Sequence, residues 1–198
     1  MGLNIYWDNK SITSSKILGD VPTDMSLFKE LFEIAQNPNT PNDTYIKEKV
    51  AQNPSTNQQT LSLLATDKDP DIRRHVAKNK NTSPPTLYLL AQDKNTYIKS
   101  DVAQNPNTPP EALALLAKDE NWNVRYRVAR NPNTPPETLA LLAMEKSPYI
   151  RELVADNPTT SVDSLIKLCY DENKYVRRSA FQNPNLPNEY KMLYLMEK

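Results

Sequence analysis

Few side chains in this sequence have the chemistry for catalysis. The chain of 198 residues holds one histidine, His75, and one cysteine, Cys169. A Ser–His or Cys–His pair would have to use His75 alone, and no spacing brings Cys169 to it. One of each also excludes a disulfide framework, an iron–sulfur cluster and most zinc sites. Two glycines are too few for the loops that cradle phosphates in nucleotide-binding folds. Lysine plus arginine number 24 and aspartate plus glutamate 24, so no bulk charge draws the chain to nucleic acid or acidic lipid. No apolar run approaches the roughly 18 residues of a membrane span, and the N-terminus lacks a basic-then-apolar signal pattern. The expectation is a soluble, cytoplasmic, non-enzymatic protein without cofactor or metal.

What the chain has instead is charge and aromatic side chains at a fixed interval. Arg73, Lys99, Arg125, Arg151 and Arg177 form one row, with Lys47 in the equivalent place. Asp67, Asp93, Asp119, Glu145 and Asp171 stand six residues earlier in each case. A line of cations could hold phosphates. Matched by as many anions it leaves little net field, and the preferred reading is a structural ladder, each cation bonding its own carboxylate and the next turn. Two neighbouring rows vary. One reads Tyr45, Asp71, Tyr97, Asn123, Tyr149, Tyr175; the other reads Glu48, Arg74, Ser100, Tyr126, Glu152, Arg178. Tyrosine and arginine are favoured interface anchors. The candidate partner-binding set is therefore Tyr45, Arg74, Tyr97, Tyr126, Tyr149, Glu152, Tyr175 and Arg178, against the alternative that the tyrosines merely cover the neighbouring turn. Trp122 is either an exposed anchor or packed on an adjacent turn. His75 shares its row with Asp101, Arg127, Leu153 and Ser179 and reads as a surface residue, while Cys169 replaces alanine in a core row and reads as packing.

These rows imply a repeat. Asparagine recurs at Asn53, Asn79, Asn105, Asn131, Asn157 and Asn183, a step of 26, and proline follows each except at Lys80. Thr56, Thr82, Thr108, Thr134 and Thr160 suit the N-cap of a first helix of about ten residues. Thr108-Pro-Pro-Glu111 and Thr134-Pro-Pro-Glu137 suggest a reciprocal cap over prolines. Asp43, Asp69, Asn95, Asn121, Ser147 and Asn173 suit the N-cap of a second helix of about nine, ended by Asn-Pro. Leu61 and Leu64, Ile72 and Val76, and their equivalents at each step of 26 supply the core, with Ala65, Ala91, Ala117, Ala143 and Cys169 as a small-residue row. A single unit cannot bury these stripes, but stacked units can. The expected organisation is an N-terminal capping segment over 1–25, a repeat array over 26–185 and a capping helix over 186–198. Asn37 lies 16 residues before Asn53. Either the turn between helices at 27–36 and 44–52 is long, or one unit lost its first helix; the former is preferred.

The unit V-A-x-N-P-x-T-P-x-x-x-L-x-x-L-A-x-D-x-x-x-x-[IV]-R resembles the leucine-rich repeat variant family of bacterial proteins, and is similar to HEAT repeats. The resemblance covers about residues 27–197. It implies an all-α fold, a right-handed α-solenoid of paired helices whose second helix is short or partly 3₁₀. Some members add a cysteine-rich iron–sulfur segment, which Cys169 alone cannot reproduce. The expected function is an interaction scaffold whose partner is a protein or peptide on the concave side of the second helices, with no membrane or metal involved. The alternative is a nucleic-acid binder using the cation ladder in a groove like that of HEAT-like DNA glycosylases.

Overall fold

Helices that cannot bury their own apolar stripes must stack, and the chain does so. The computed structural model describes residues 43–196. Among them every regular element is an α-helix. First helices are α2 (Gln58–Leu64), α4 (Pro84–Leu90), α6 (Pro110–Leu116), α8 (Pro136–Leu142), α10 (Val162–Leu168) and α12 (Asn188–Met196). Second helices are α1 (Asp43–Gln52), α3 (Pro70–Lys78), α5 (Thr96–Gln104), α7 (Trp122–Arg130), α9 (Pro148–Asp156) and α11 (Lys174–Gln182). The expected capping segment 1–25 and the helix at 27–36 lie outside the described residues. Each second helix packs directly on the next, whereas successive first helices meet at few points. The second helices thus form the more closely packed layer, and their solvent-facing side is termed the inner face.

The core rows are buried as the spacing requires. Leu61, Leu87, Leu113, Leu139 and Leu165 are all fully buried, as are Val76, Val102, Val128, Val154 and Ala180. Each such leucine contributes roughly 1.5–3 kcal/mol of apolar burial. Ala143 is half-buried, the one departure in its row.

The helix lengths reverse the expectation. The first helices from α2 to α10 run seven residues, not ten, and the second helices run nine or ten without a 3₁₀ segment. Tightening falls instead at the end of each first helix, where Thr66 and Asp67 donate to the carbonyls of Leu63 and Leu64 three residues back.

The threonine row does not cap the first helices. Asn57, Ser83, Pro109, Pro135 and Ser161, one residue later, hold the N-cap places, and Pro109 and Pro135 offer no side-chain bond, so no reciprocal cap forms. The threonine hydroxyls turn back instead. Thr56, Thr82, Thr108, Thr134 and Thr160 donate to Val50, Val76, Val102, Val128 and Val154 carbonyls at 2.5–2.6 Å, each closing the last turn of a second helix. A buried hydroxyl needs a partner, and that carbonyl, which also accepts the asparagine N–H three residues on, supplies one with its second lone pair. The second cap row behaves as expected at Asp69, Asn95, Asn121 and Asn173, whose side chains accept the N–H two residues on at 2.9 Å. Ser147 makes no such bond, and Asp43 is already the first residue of α1.

Asparagine, more than proline, ends the second helices. Asn79 precedes Lys80 yet adopts ψ 125°, the same as Asn131 before Pro132. Its Oδ1 accepts the Asn81 N–H at 2.9 Å. Its Nδ2 reaches the preceding unit, donating to Ala51 O and Asn53 O, both at 2.8 Å. The pattern repeats at Asn105, Asn131, Asn157 and Asn183, giving a buried asparagine seam from unit to unit. Alongside it, Asn107, Asn133 and Asn185 donate to carbonyls of the unit before, nearer solvent.

Candidate partner-binding face

The cation ladder lies on the edge where first helices turn into second. Arg73 Nη1 donates to its own turn, to Asp67 O at 2.8 Å and Lys68 O at 3.1 Å. Its Nε and Nη2 meet the Asp93 carboxylate of the following unit at 2.7 and 3.2 Å. The expected roles are therefore exchanged: the backbone partners are a cation's own, the carboxylate its neighbour's. Arg125 with Glu145 and Arg151 with Asp171 repeat the arrangement, Lys47 pairs with Asp67, and Lys99 with Asp119. Arg177 likewise donates to the carbonyls of Asp171 and Glu172. Each carboxylate of Asp67, Asp93, Asp119 and Asp171 also accepts the N–H two residues on, which fixes the turn. Burial works to raise the Asp93 carboxyl, but the Arg73 hydrogen bond, the Asn95 N–H and the Arg73 charge hold it below its ordinary value. Asp171 is lowered against the same penalty by Arg151, the Asn173 N–H and the nearby Arg177. The hydrogen bonds to Asp93 and Asp171 raise Arg73 and Arg151 above their ordinary values. These cations already have their anions.

The tyrosine row points away from that edge. Tyr97 and Tyr149 are 67 % and 71 % exposed, Tyr175 53 % and Tyr45 40 %. They open the first turns of second helices, one residue before an Ile or Val that is fully buried at Ile98, Ile150 and Val176 and partly buried at Ile46. Three of them carry a cation: Lys49 stands 5.4 Å from the Tyr45 ring centre, Arg74 5.5 Å from Tyr97 and Lys174 5.1 Å from Tyr175. The expected set is not uniform. Arg74 is tied to Asp101 at 2.7 Å, which raises its pKa through that hydrogen bond. Tyr126 is half-buried against the core, its ring edge-on to Trp122 at 6.0 Å. Glu152 is half-exposed and Arg178 exposed.

Trp122, left open by the sequence, is 60 % exposed at the start of α7 and joins the tyrosines as a surface aromatic. His75 Nε2 lies 3.1 Å from Glu48 Oε1 and 3.0 Å from Gln52 Nε2 across the inner face. Arg127 reaches Gln104 in the same manner at 2.9 Å. Spacings of 23 and 27 residues would have flagged these links, since they equal one period less or plus a short step. Cys169 is buried, and burial pushes its thiol up to about 11, so it stays protonated and unreactive at neutral pH. No cluster of metal-ligating side chains occurs among the described residues, and no helix among them is long and apolar enough to cross a membrane.

A seam of asparagines, a ladder of ion pairs and two helical layers in register define an α-solenoid built of two-helix units. No protein-family model matches the sequence, and no curated protein does. Among solved structures, the chain resembles a leucine-rich repeat variant described as having a novel repetitive structural motif. The two are 25 % identical with a TM-score of 0.60 over 84 % of this chain and 64 % of that one. The Escherichia coli protein YibA aligns at 17 % identity and a TM-score of 0.50, over 82 % of this chain and 74 % of its own. This chain thus spans less than two thirds of the leucine-rich repeat variant's length.

Proposed function

We propose that this chain is a non-catalytic, cytoplasmic interaction scaffold that takes a protein or peptide along the inner face of its second helices. The observation that carries the reading is the exposed aromatic row Tyr97, Trp122, Tyr149 and Tyr175, one residue in each successive unit. Core packing does not need these rings, and large amphipathic rings with few rotatable bonds make economical anchors. Lysine and arginine beside them supply polar contacts at the rim. Nucleic acid fits less well, because the ladder cations are matched by carboxylates and the total charge is zero.

The test is affinity capture from native cells on the wild type and on a Tyr97→Ala, Tyr149→Ala double variant, followed by calorimetric titration of the captured partner. A protein retained by the wild type and lost by the variant supports the reading. Equal capture by both, or a partner whose affinity collapses with salt as a phosphate binder's does, overturns it.

A further inference from the structure

A repeated feature on the first helices serves neither the seam, the ladder nor the inner face. Leu63, Leu89, Leu115 and Leu141 are 50, 47, 42 and 40 % exposed, although Leu61, Leu87, Leu113 and Leu139 two residues earlier are fully buried. Folding does not demand leucine there, since Lys167 fills the same place in the next unit and is exposed. Three residues on, in the turn that follows each first helix, stand Thr66, Gln92, Lys118, Met144 and Tyr170, the last two 76 % and 70 % exposed.

Between units this edge is recessed. A groove of about 750 Å³ is lined by Lys94, Leu115, Lys118 and Glu120 above the Lys99–Asp119 pair. The next, of about 670 Å³, is lined by Lys118, Leu141, Met144 and Lys146 above Arg125 and Glu145. The ladder beneath is neutralised pair by pair. Outside the ladder pairs, Lys94 and Lys118 of the first groove stand against Glu120 alone, and Lys118 and Lys146 of the second against the same glutamate, so each rim keeps one positive charge in excess.

We propose that this edge is a second docking surface and that its occupant is an acidic amphipathic helix of a partner protein. Units spaced about 10 Å apart match leucines at every seventh position of a helix, which lie about 10.5 Å apart on one face. The lysine rim selects carboxylates beside those leucines. A phosphate backbone would leave the leucines unused and meet Glu120 and Glu172; a flat bilayer would not enter the grooves.

The test uses the full chain and a fluorescein-labelled synthetic helix of alanine and glutamate with leucine at every seventh position, read by fluorescence anisotropy. Saturable binding is expected, weakened about tenfold or more by Leu115→Ser with Leu141→Ser, and as much by Lys118→Glu with Lys146→Glu. The charge-reversed pair keeps the test alive should the serine pair fail to fold. The idea fails if a lysine version of the helix binds as tightly, if both double variants keep wild-type affinity, or if anionic vesicles bind where the acidic helix does not.

Discussion

The two turns of each unit are held by different physics. Where a second helix ends, the asparagine seam is buried: Asn105 is 3 % exposed, donates both Nδ2 hydrogens to backbone carbonyls and accepts a backbone N–H at Oδ1. Where a first helix ends, the ladder is ionic and ranges from Arg151 and Asp171, each 9 % exposed, to Arg125 and Glu145, about one fifth exposed. A neutral side chain satisfying three backbone groups carries no charge-desolvation cost, whereas an ion pair spends part of its attraction on losing water. The seam also keeps one residue type at every step, while the ladder accepts lysine at Lys99 and glutamate at Glu145. Hydrogen-bond geometry demands one side chain; charge matching tolerates several.

Asn105→Ala is the sharpest way to break this contrast. It strands the Ala77 carbonyl and the Asn107 N–H and leaves the Asn79 carbonyl only the Thr82 N–H. About 3 kcal/mol should be lost, a fall in Tm of about 6–12 °C by thermal unfolding. Asn133→Ala, which removes one exposed bond to Pro106 O, should cost less than about 1 kcal/mol. Equal losses from the two would mean that the seam is not special.

On the ladder, Arg151→Ala removes two bonds to Asp171, two to the carbonyls of Glu145 and Lys146, and one to the exposed Glu172 carboxylate. About 2 kcal/mol is expected, less than for the seam because Asp171 keeps the Asn173 N–H and can draw water. The pH dependence separates the two turns further. Asp93 and Asp171 are lowered from an ordinary 3.8, so their contribution is full above that value and is lost as pH falls through the lower folded one. Denaturant unfolding should therefore show the Arg151→Ala penalty shrinking below about pH 4, while the Asn105→Ala penalty stays level. A level Arg151 penalty would show that its carbonyl bonds, not the ion pair, carry the effect.

The period, the helical order and the leucine, isoleucine and valine core rows were legible in the sequence, because apolar spacing at 26 residues has one physical reading, whereas the buried row Thr60, Thr86, Ala112, Thr138 and Ser164 was hidden by its polar members. The threonines were misassigned for a chemical reason: a hydroxyl can accept from a helix start or donate to a helix end, and sequence spacing permits both. Thr134 donates backward to Val128 O at 2.6 Å, and Thr134→Val should cost about 1 kcal/mol, felt in hydrogen exchange at the end of α7 rather than the start of α8. The seam was legible only in part. Lys80 breaks the Asn-Pro pair while Asn79 persists, a sign that asparagine has a task of its own, but its partners lie 26 and 28 residues away. The inner-face set was harder still, because exposure of a tyrosine depends on neighbours across the unit boundary. Arg74 meets Asp101 across that boundary, whereas Tyr126 meets Trp122 four residues earlier on its own helix.

That difference between tyrosines sets the smallest stability effects and the clearest functional one. Tyr126→Ala removes a half-buried ring packed on the core and in edge contact with Trp122, and should cost about 1–2 kcal/mol. Tyr149 is 71 % exposed in the next unit, and its loss should move stability by no more than about 0.5 kcal/mol, a Tm change of about 1–2 °C. If Tyr149 is an anchor, the same substitution should weaken the inner-face partner roughly thirty-fold, equivalent to about 2 kcal/mol. Tyr126→Ala would weaken the partner only through the displaced Trp122 ring. Thermal unfolding and calorimetric titration of both variants read the two quantities separately. A Tyr149 variant that unfolds early yet binds normally would make that ring a cover for its neighbouring turn and remove the central anchor from the inner face.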